Sequence, residues 1–542
     1  MAESVVSNRS GNPAHDLAQA EARAEKKRLQ ALGFAAITDL VGRHAQVRPD
    51  HPALILEDRR VCYGELYATM QRVACRLQDD GLQPGDGVAI CAGTSIEYLQ
   101  GFAGALLAGM VVAPLAPSAS AAQLDGMLEN AGAKLLLRDT SVAAAWQPRV
   151  GTPCVALDDA PVAGVPWSRW LAAPGALPTP FEPGPQSPFN LIYSSGTTGL
   201  PKGIVQSWLM RWMQVRRAIR NGYDQQAVSL CATPLYSNTT LIAVMPTLAL
   251  GGTVVLMRKF DAGHYLQLAE QHRATHAMLV PVQYRRLLDH AAFDRADLRS
   301  LRYKFCTSAP FSAALKAEIL RRWPGPLVEY YGLTEGGVSS ELRCHEHPDK
   351  LHTVGRPAQG ADIRFIDGQG RELPPGAQGE MVGRSNLMMN EYHHMPDQTR
   401  AIEWFDEAGQ RYLRSGDVGR LDDDGFIILG DRLKDMIISG GFNVYPVDIE
   451  TVLRQHPLVA DCAVVGVPSE RWGETPVAFV VARAGTAPDA GQLKTWLNAR
   501  VGKVQRVADV CLAGLLPRSE IGKVLKRELR AAYEAIQAGA SS

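Results

Sequence analysis

The sequence lacks any apolar run near the 18 or so residues needed to span a bilayer. Its N-terminus, MAESVVSNRSGNPAHDLAQAEARAEKKRLQ, is polar and charged and lacks the apolar centre of a signal peptide. No membrane span and no export signal are therefore expected. It also lacks a charge excess: 56 Lys and Arg balance 56 Asp and Glu, so no overall field draws the chain to nucleic acid or an anionic membrane. Any anionic ligand must be held by a local site. The nine cysteines are scattered and include no CxxC pair, which argues against a zinc cluster or a disulfide framework and for reduced thiols in cytoplasm. Neither an internal repeat nor a low-complexity tract is present.

What is present is an ordinary globular composition, 46% apolar and 21% charged over 542 residues, long enough for a large core and at least one further domain. The run DLAQAEARAEKKRLQAL near the start is rich in helix formers of mixed charge and reads as a solvated helix or loose arm. From Phe34 to about Leu137, helix-like stretches such as YGELYATMQRVACRLQDDGL alternate with short apolar runs such as VAICA and VVAPL, the texture of an α/β layered domain. A Pro- and Gly-rich stretch from Ala172 to Ser187 reads as an irregular connection. After Gly425 the texture changes to short strand candidates (FIIL, MIIS, CAVVGV, VAFVVAR) separated by helix candidates around DIETVLRQ and GQLKTWLNARV. The expected fold class is α/β: a polar arm over residues 1–33, a large multi-subdomain region with layered sheets and helices over 34–430, and a smaller α+β domain over 431–542.

Phe189 to Tyr193 (FNLIY) has the length and apolar content of a buried strand and runs into Ser194-Ser195-Gly196-Thr197-Thr198-Gly199-Leu200-Pro201-Lys202-Gly203. Taken singly, a Gly/Ser/Thr loop is more often a surface turn. Delivered by a strand, its glycines let backbone N–H groups approach an anion, its hydroxyls donate further hydrogen bonds and Lys202 adds a point charge. It is not a Walker loop, because Pro201 precedes the lysine and Gly203, not Ser or Thr, follows it.

Four further motifs follow in order: Tyr331-Gly332-Leu333-Thr334-Glu335, Ser415-Gly416-Asp417, the long run from Gly430 to Pro446 (GDRLKDMIISGGFNVYP), and Pro517-Arg518-Ser519-Glu520-Ile521-Gly522-Lys523. Each alone has an unremarkable account, as turn chemistry or a solvated charge. Together, in this order and spacing, they resemble the adenylate-forming superfamily of acyl-CoA synthetases, peptide-synthetase adenylation domains and beetle luciferases, and most resemble a free-standing acyl- or aryl-CoA ligase. The resemblance covers residues from about 35 to 530.

That resemblance implies a role for each match. Ser194, Ser195, Gly196, Thr197, Thr198 and Gly199 bind phosphate; Ser308, Ala309, Pro310, Glu329, Tyr330, Tyr331, Gly332 and Thr334 border ATP or AMP, with the Tyr331 ring against adenine. Asp417 accepts from both ribose hydroxyls, Arg432 contacts the ribose, and Glu335 holds Mg²⁺, a hard cation suited to carboxylate. Lys202, Thr334, Glu335 and Lys523 are the catalytic set. Lys434 is the hinge of a mobile small domain, Gly440 and Gly441 line a coenzyme A tunnel, and Tyr236, Ser237, Thr307 and Gly336 line the acyl pocket. Substrates are a small carboxylic acid, ATP and coenzyme A, with Mg²⁺; the location is cytoplasmic, and a homodimer is left open.

The pattern is departed from in places. A His usual in the family corresponds to Ser237, glycines correspond to Thr307 and Ser308 and another to Tyr330, and Glu391 in MMNEYHH replaces a glycine, which questions the local turn. The larger side chains are expected to narrow the pocket toward a short, medium or aromatic acid. Trp208, Trp212 and Met213 stand at helical spacing, which favours core packing over a pocket wall. The implied reaction is activation of the acid to an acyl-adenylate with release of pyrophosphate, then transfer to coenzyme A. The alternatives are loading of the acyl or aminoacyl group onto a carrier-protein thiol, and a non-catalytic nucleotide-binding member of the fold. The chain ending soon after Lys523, with no appended carrier domain, favours the first.

Overall fold

The computed structural model of the protein describes residues 25–149, 151–194, 202–323, 325–432, 435–439, 442–469, 472–519 and 522–540. The chain divides into two compact units: residues 1–278, 295–303 and 389–394 form the first, and residues 279–294, 304–388 and 395–542 the second.

The first unit opens with an antiparallel pair, β1 (Pro52–Leu56) and β2 (Arg59–Cys62). The seven strands that follow are β3 (Gly87–Cys91), β4 (Val111–Pro114), β5 (Ala133–Arg138), β6 (Cys154–Ala156), β7 (Val165–Pro166), β8 (Pro188–Ser194) and β9 (Lys202–Ser207). They form one sheet in the order β7-β6-β5-β3-β4-β8-β9, parallel except for β9. The expected strands VAICA and VVAPL are β3 and β4, buried at every position, as parallel strands covered on both faces must be. Their helical partners are amphipathic and capped. At the helix Ala121–Asn130, Ser120 Oγ accepts the Gln123 N–H (3.3 Å) while Gln123 Oε1 accepts the Ser120 N–H (3.0 Å), satisfying two groups a helix start leaves open. Three more strands, β10 (Val228–Cys231), β11 (Thr253–Leu256) and β12 (His276–Leu279), extend the first pair in the order β12-β10-β11-β1-β2. The Pro- and Gly-rich stretch is irregular, as expected, until β8 begins at Pro188. In the N-terminal arm residues 25–31 are helical, and Leu29 is buried rather than solvated.

In the second unit β13 (Tyr303–Cys306), β14 (Leu327–Gly332), β15 (Ser339–Arg343) and β16 (Arg356–Pro357) lie in the order β16-β15-β14-β13. A separate five-stranded sheet of β17 (Asp362–Ile366), β18 (Gly379–Arg384), β19 (Glu403–Phe405), β20 (Arg411–Leu421) and β21 (Ile427–Arg432) runs β17-β18-β20-β19, with β21 also on β20. The expected strand FIIL is β21. The other three expected strands, MIIS, CAVVGV and VAFVVAR, are β22 (Ile437–Ser439), β24 (Val459–Ser469) and β25 (Gly473–Ala482); with two strands not expected from the sequence, β23 (Phe442–Val444) and β26 (Asp509–Leu512), they form a five-stranded sheet of their own. Its two apolar clusters, one around Val464, Ile449 and Leu497 and one around Val465, Phe479 and Leu529, draw only on residues from 437 onward. The fold is mixed α/β with layered sheets, followed by a small α+β region, the expected class.

Candidate active site

In the first unit the phosphate-loop reading rests on a hairpin. β8 and β9 run antiparallel, with Ser194 opposite Lys202 and Tyr193 opposite Gly203, so residues 195–201 are its connection. Ser195, Gly196, Thr197, Thr198 and Gly199 lie outside the described residues. Lys202 is half-buried, its Nζ 4.8 Å from the centre of the Tyr392 ring, a cation–π distance. Tyr392 is placed there because residues 390–393 run alongside β9: Val205 N–H donates to Glu391 O (3.0 Å), and His393 N–H to Gly203 O (2.7 Å). Glu391 therefore sits in an extended pairing that asks for no glycine. Tyr236 is half-buried, and Ser237 is the cap of the helix Asn238–Ala249, its Oγ accepting the Thr239 N–H at 3.3 Å. Trp208 and Trp212 are 1% and 0% exposed, in the core as expected, and Met213 beside them is half-buried, its Sδ 3.8 Å from Arg216.

In the second unit β13 ends at Cys306, and Thr307, Ser308 and Ala309 follow half-buried, with Pro310 exposed. Ser308 has φ +79, in the left-handed region where a side chain is strained, which explains why glycine suits this position. β14 carries Glu329, Tyr330, Tyr331 and Gly332. Tyr330 is buried and stacks on Phe305 with ring centres 5.5 Å apart and planes at 9°. The buried Glu329 carboxylate pairs with Lys316 Nζ at 2.5 Å, and that Nζ also donates to Leu351 O and Thr353 O. Burial pushes the Glu329 carboxyl up while the Lys316 charge opposes the shift. Thr334 and Glu335 lie half-buried in a turn closed by Gly336 N–H donating to Leu333 O (3.0 Å). Gly336 has φ +72, and a Cβ built on it would overlap the Leu387 carbonyl oxygen.

Asp417 is presented by a bulge in β20. Opposite it, β18 pairs Glu380 with Val418 and Val382 with Arg414, so Ser415, Gly416 and Asp417 face one residue and the strand must kink. Gly416 takes φ +68; Ser415 Oγ donates to Met381 O (2.8 Å) and accepts the Asp417 N–H (3.0 Å). The Tyr331 hydroxyl donates to Asp417 Oδ2 at 2.6 Å, and the backbone of Arg432 on β21 stands opposite Asp417. The structure thus brings together the side chains of two expected nucleotide residues, Tyr331 and Asp417, and sets the backbone of a third, Arg432, opposite Asp417. Lys523 is exposed at the end of a tight turn in which Ser519 Oγ accepts the Lys523 N–H (3.2 Å), Ser519 N–H donates to Lys523 O (2.8 Å), and Gly522 takes φ +80 beside Val282. Lys434, Gly440 and Gly441 lie outside the described residues.

Among the described residues no three His, Cys, Asp or Glu side chains gather as a metal cluster. Mg²⁺ that arrives on a triphosphate asks for only one or two carboxylates, and the half-buried Glu335 fits that smaller demand. The Lys316–Glu329 pair and the Tyr392–Lys202 contact were not anticipated, since neither Tyr392 nor Lys316 belongs to a motif read from the sequence.

The AMP-binding enzyme family matches residues 41–393 and its C-terminal domain matches residues 448–523. The chain belongs to this family, the adenylate-forming superfamily that its five motifs resemble. Among similar proteins, a fatty acid–[acyl-carrier-protein] ligase of Streptomyces coeruleorubidus is 34% identical over 501 residues, covering 90% of this chain and 94% of its own. A feruloyl-CoA synthase of an Amycolatopsis species is 33% identical over 499 residues, covering 90% and 97%. Among solved structures, ATP-bound MatB of Rhodopseudomonas palustris aligns with a TM-score of 0.82 at 29% identity, over 92% of this chain and 99% of that one.

Proposed function

We propose that this enzyme activates a small carboxylic acid with ATP and passes the acyl group to coenzyme A. The carboxylate oxygen attacks the α-phosphate and pyrophosphate leaves; the thiol then attacks the acyl carbon, loses its proton, and AMP leaves. A carboxylate alone is a poor acyl donor because its leaving group is oxide, and the adenylate replaces that with a stable phosphate monoester. Both reactants of the first step are anions, so the protein's contribution is positive charge and alignment rather than acid–base chemistry. Lys202 and the hairpin connection hold the phosphates, Lys523 bridges acid and α-phosphate, and the Asp417 carboxylate takes the ribose hydroxyls. Mg²⁺ neutralises phosphate charge when bound, and Glu335 would hold it. The large domain extends to residue 430 and the small domain from 431, with Lys434 as hinge and Gly440 and Gly441 along the thiol's path. The nine unpaired cysteines support a cytoplasmic location.

The observation that carries this reading is the Asp417 bulge, held by Tyr331 and facing Arg432. A carboxylate held in that fixed position supports the reading that it accepts from the two hydroxyls of a ribose. With purified enzyme, pyrophosphate release across a panel of acids should require ATP, and 2′-deoxy-ATP should be a poorer substrate; Asp417→Ala should erase that preference. Equal use of both nucleotides by the unaltered enzyme would remove the assignment. The curated relative that loads an acyl-carrier protein supports a second reading, in which the acceptor is a carrier-protein thiol. Acceleration of AMP release by free coenzyme A, with no further effect of a carrier protein, decides for the first.

A further inference from the structure

The helix Trp208–Arg220 follows β9 directly, and its Arg211 is 0% exposed. A buried guanidinium costs several kcal/mol in lost hydration and is ordinarily offset by a carboxylate. Among the described residues none faces it. Its partners are four carboxamides: Nε and one terminal nitrogen donate to Asn190 Oδ1 (3.1 and 3.0 Å), the same terminal nitrogen to Gln206 Oε1, and the other to Gln214 Oε1 and Asn238 Oδ1 (both 2.9 Å). All five N–H groups of the guanidinium are used. Burial alone, unopposed by a neighbouring anion, lowers its pKa to about 9.

These partners come from both strands of the phosphate hairpin, from the helix after it and, through Asn238, from the first turn of the helix Asn238–Ala249. Arg211 therefore ties the base of the phosphate loop to the stretch Pro234–Ser237, whose Tyr236 and Ser237 the family resemblance places in the acyl pocket. That stretch is itself fixed: Thr240 Oγ1 donates to Pro234 O (2.6 Å) and meets Thr233 Oγ1 at 2.7 Å, and Ser237 N–H donates to Pro234 O (3.0 Å).

A guanidinium offers only donors, so a carboxamide facing it must present its oxygen. For Asn238 this settles the amide orientation: Oδ1 is committed to Arg211 and the N–H₂ points the other way. Asn238 is half-buried, and its N–H₂ has no partner among the described residues. A partly dehydrated donor held in a fixed direction beside the acyl stretch is a recognition group waiting for an acceptor.

We propose that Asn238, oriented by the buried Arg211, is a specificity-determining donor, and that the preferred acid carries an oxygen acceptor on its acyl portion: a hydroxyl, methoxy, keto or second carboxylate oxygen. Arg211 is the positioning residue, and the inference rests on the acyl-pocket reading of residues 234–237. Such a site rejects an analogue that lacks the acceptor, because its own donor is then left unpaired.

The test uses the full-length enzyme with ATP and Mg²⁺, and pairs of aryl and short-chain acids differing only by one such oxygen. In at least one pair kcat/KM for pyrophosphate release should favour the acceptor-bearing acid by about 10-fold or more. Asn238→Leu should bring that ratio close to one. Asn238→Asp, which keeps a bond to Arg211 but replaces the outward donor with an acceptor, should do the same while thermal unfolding shows the fold retained. Arg211→Met should also collapse the ratio by freeing the amide to turn. A purely structural role for either residue lowers both acids of a pair together and leaves the ratio in place, which would overturn the proposal, as would the absence of any preference in the unaltered enzyme. If Arg211→Met does not fold, the two Asn238 variants decide alone. If no acid in the panel releases pyrophosphate, the adenylation reading itself fails, and this inference with it.

Discussion

His276 shows at the scale of one residue how burial fixes a protonation state. It is 0% exposed; its Nε2 lies 3.2 Å from Asn221 O and its Nδ1 2.7 Å from Thr275 Oγ1, and its ring lies 3.9 Å from that of Tyr223. A carbonyl can only accept, so Nε2 carries the proton and Nδ1 accepts from the threonine hydroxyl. Burial pushes its pKa from the ordinary value near 6.5 down to about 3, with Arg302 adding to the shift. Between those values the unfolded chain binds a proton that the folded chain does not, so this residue makes stability fall as pH drops from about 6.5 toward 3 and has no effect above 6.5. The slope from one such group is at most about 1.4 kcal/mol per pH unit. Urea unfolding of the protein and of His276→Phe at a series of pH values should give a difference that shrinks steadily below pH 6.5. A constant difference across that range would mean that the histidine is already charged in the fold. Lys316 and Glu329 make the contrasting case, where two buried charges are kept because each is the other's compensation.

At the scale of elements, two glycines with similar backbone angles predict different failures. Gly416, at φ +68, has nothing within 4 Å of an added Cβ, whereas at Gly336, φ +72, the Cβ would overlap the Leu387 backbone. Gly416→Ala should cost only the left-handed strain, about 1–2 kcal/mol, and should raise KM for ATP by relaxing the bulge that aims Asp417. Gly336→Ala adds a collision with main chain and should lower the unfolding midpoint much further; equal losses in both variants, measured by urea unfolding, would refute the distinction. Gly416 stands in a motif that was legible in the sequence and Gly336 directly follows one; the strands FNLIY, VAICA, VVAPL and CAVVGV were legible too, because a continuous apolar run bounded by polar turns needs no partner to be recognised. What the sequence could not show is which distant segment each strand meets. Asn130 donates to His393 O across 263 residues, and the segment around Tyr392 lies on β9 through backbone bonds that carry no side-chain signature. Arg211 was hidden for a different reason. An arginine in a helix reads as a solvated charge, and only the convergence of Asn190, Gln206, Gln214 and Asn238 shows that this one is buried.

At the scale of the whole molecule, one chain must carry out two reactions with different charge demands. Adenylate formation brings two anions together and needs added positive charge, while thiol attack on a neutral acyl carbon needs room for the incoming arm. The proposed function gives Lys523 the first demand, and its geometry suits that: its turn is fixed by hydrogen bonds with Ser519 and by the left-handed Gly522, and the side chain is exposed at the end of that turn. Removal of one preorganised charge from an anionic transition state typically costs about 10²- to 10³-fold in rate. Lys523→Ala should therefore slow acyl-adenylate formation by that order, measured as acid-dependent pyrophosphate release. The second reaction, started from supplied acyl-adenylate and coenzyme A and followed by AMP release, should run near the rate of the unaltered enzyme if, as the proposed function has it, the small domain turns about Lys434 and presents another face to the thiol. Gly441→Leu should give the reverse, with pyrophosphate release kept and thioester formation lost. The two variants separate the half-reactions only if the chain alternates between two arrangements. Equal slowing of both half-reactions by Lys523→Ala, each assayed alone, would assign the lysine to stability or general binding and remove the case for alternation.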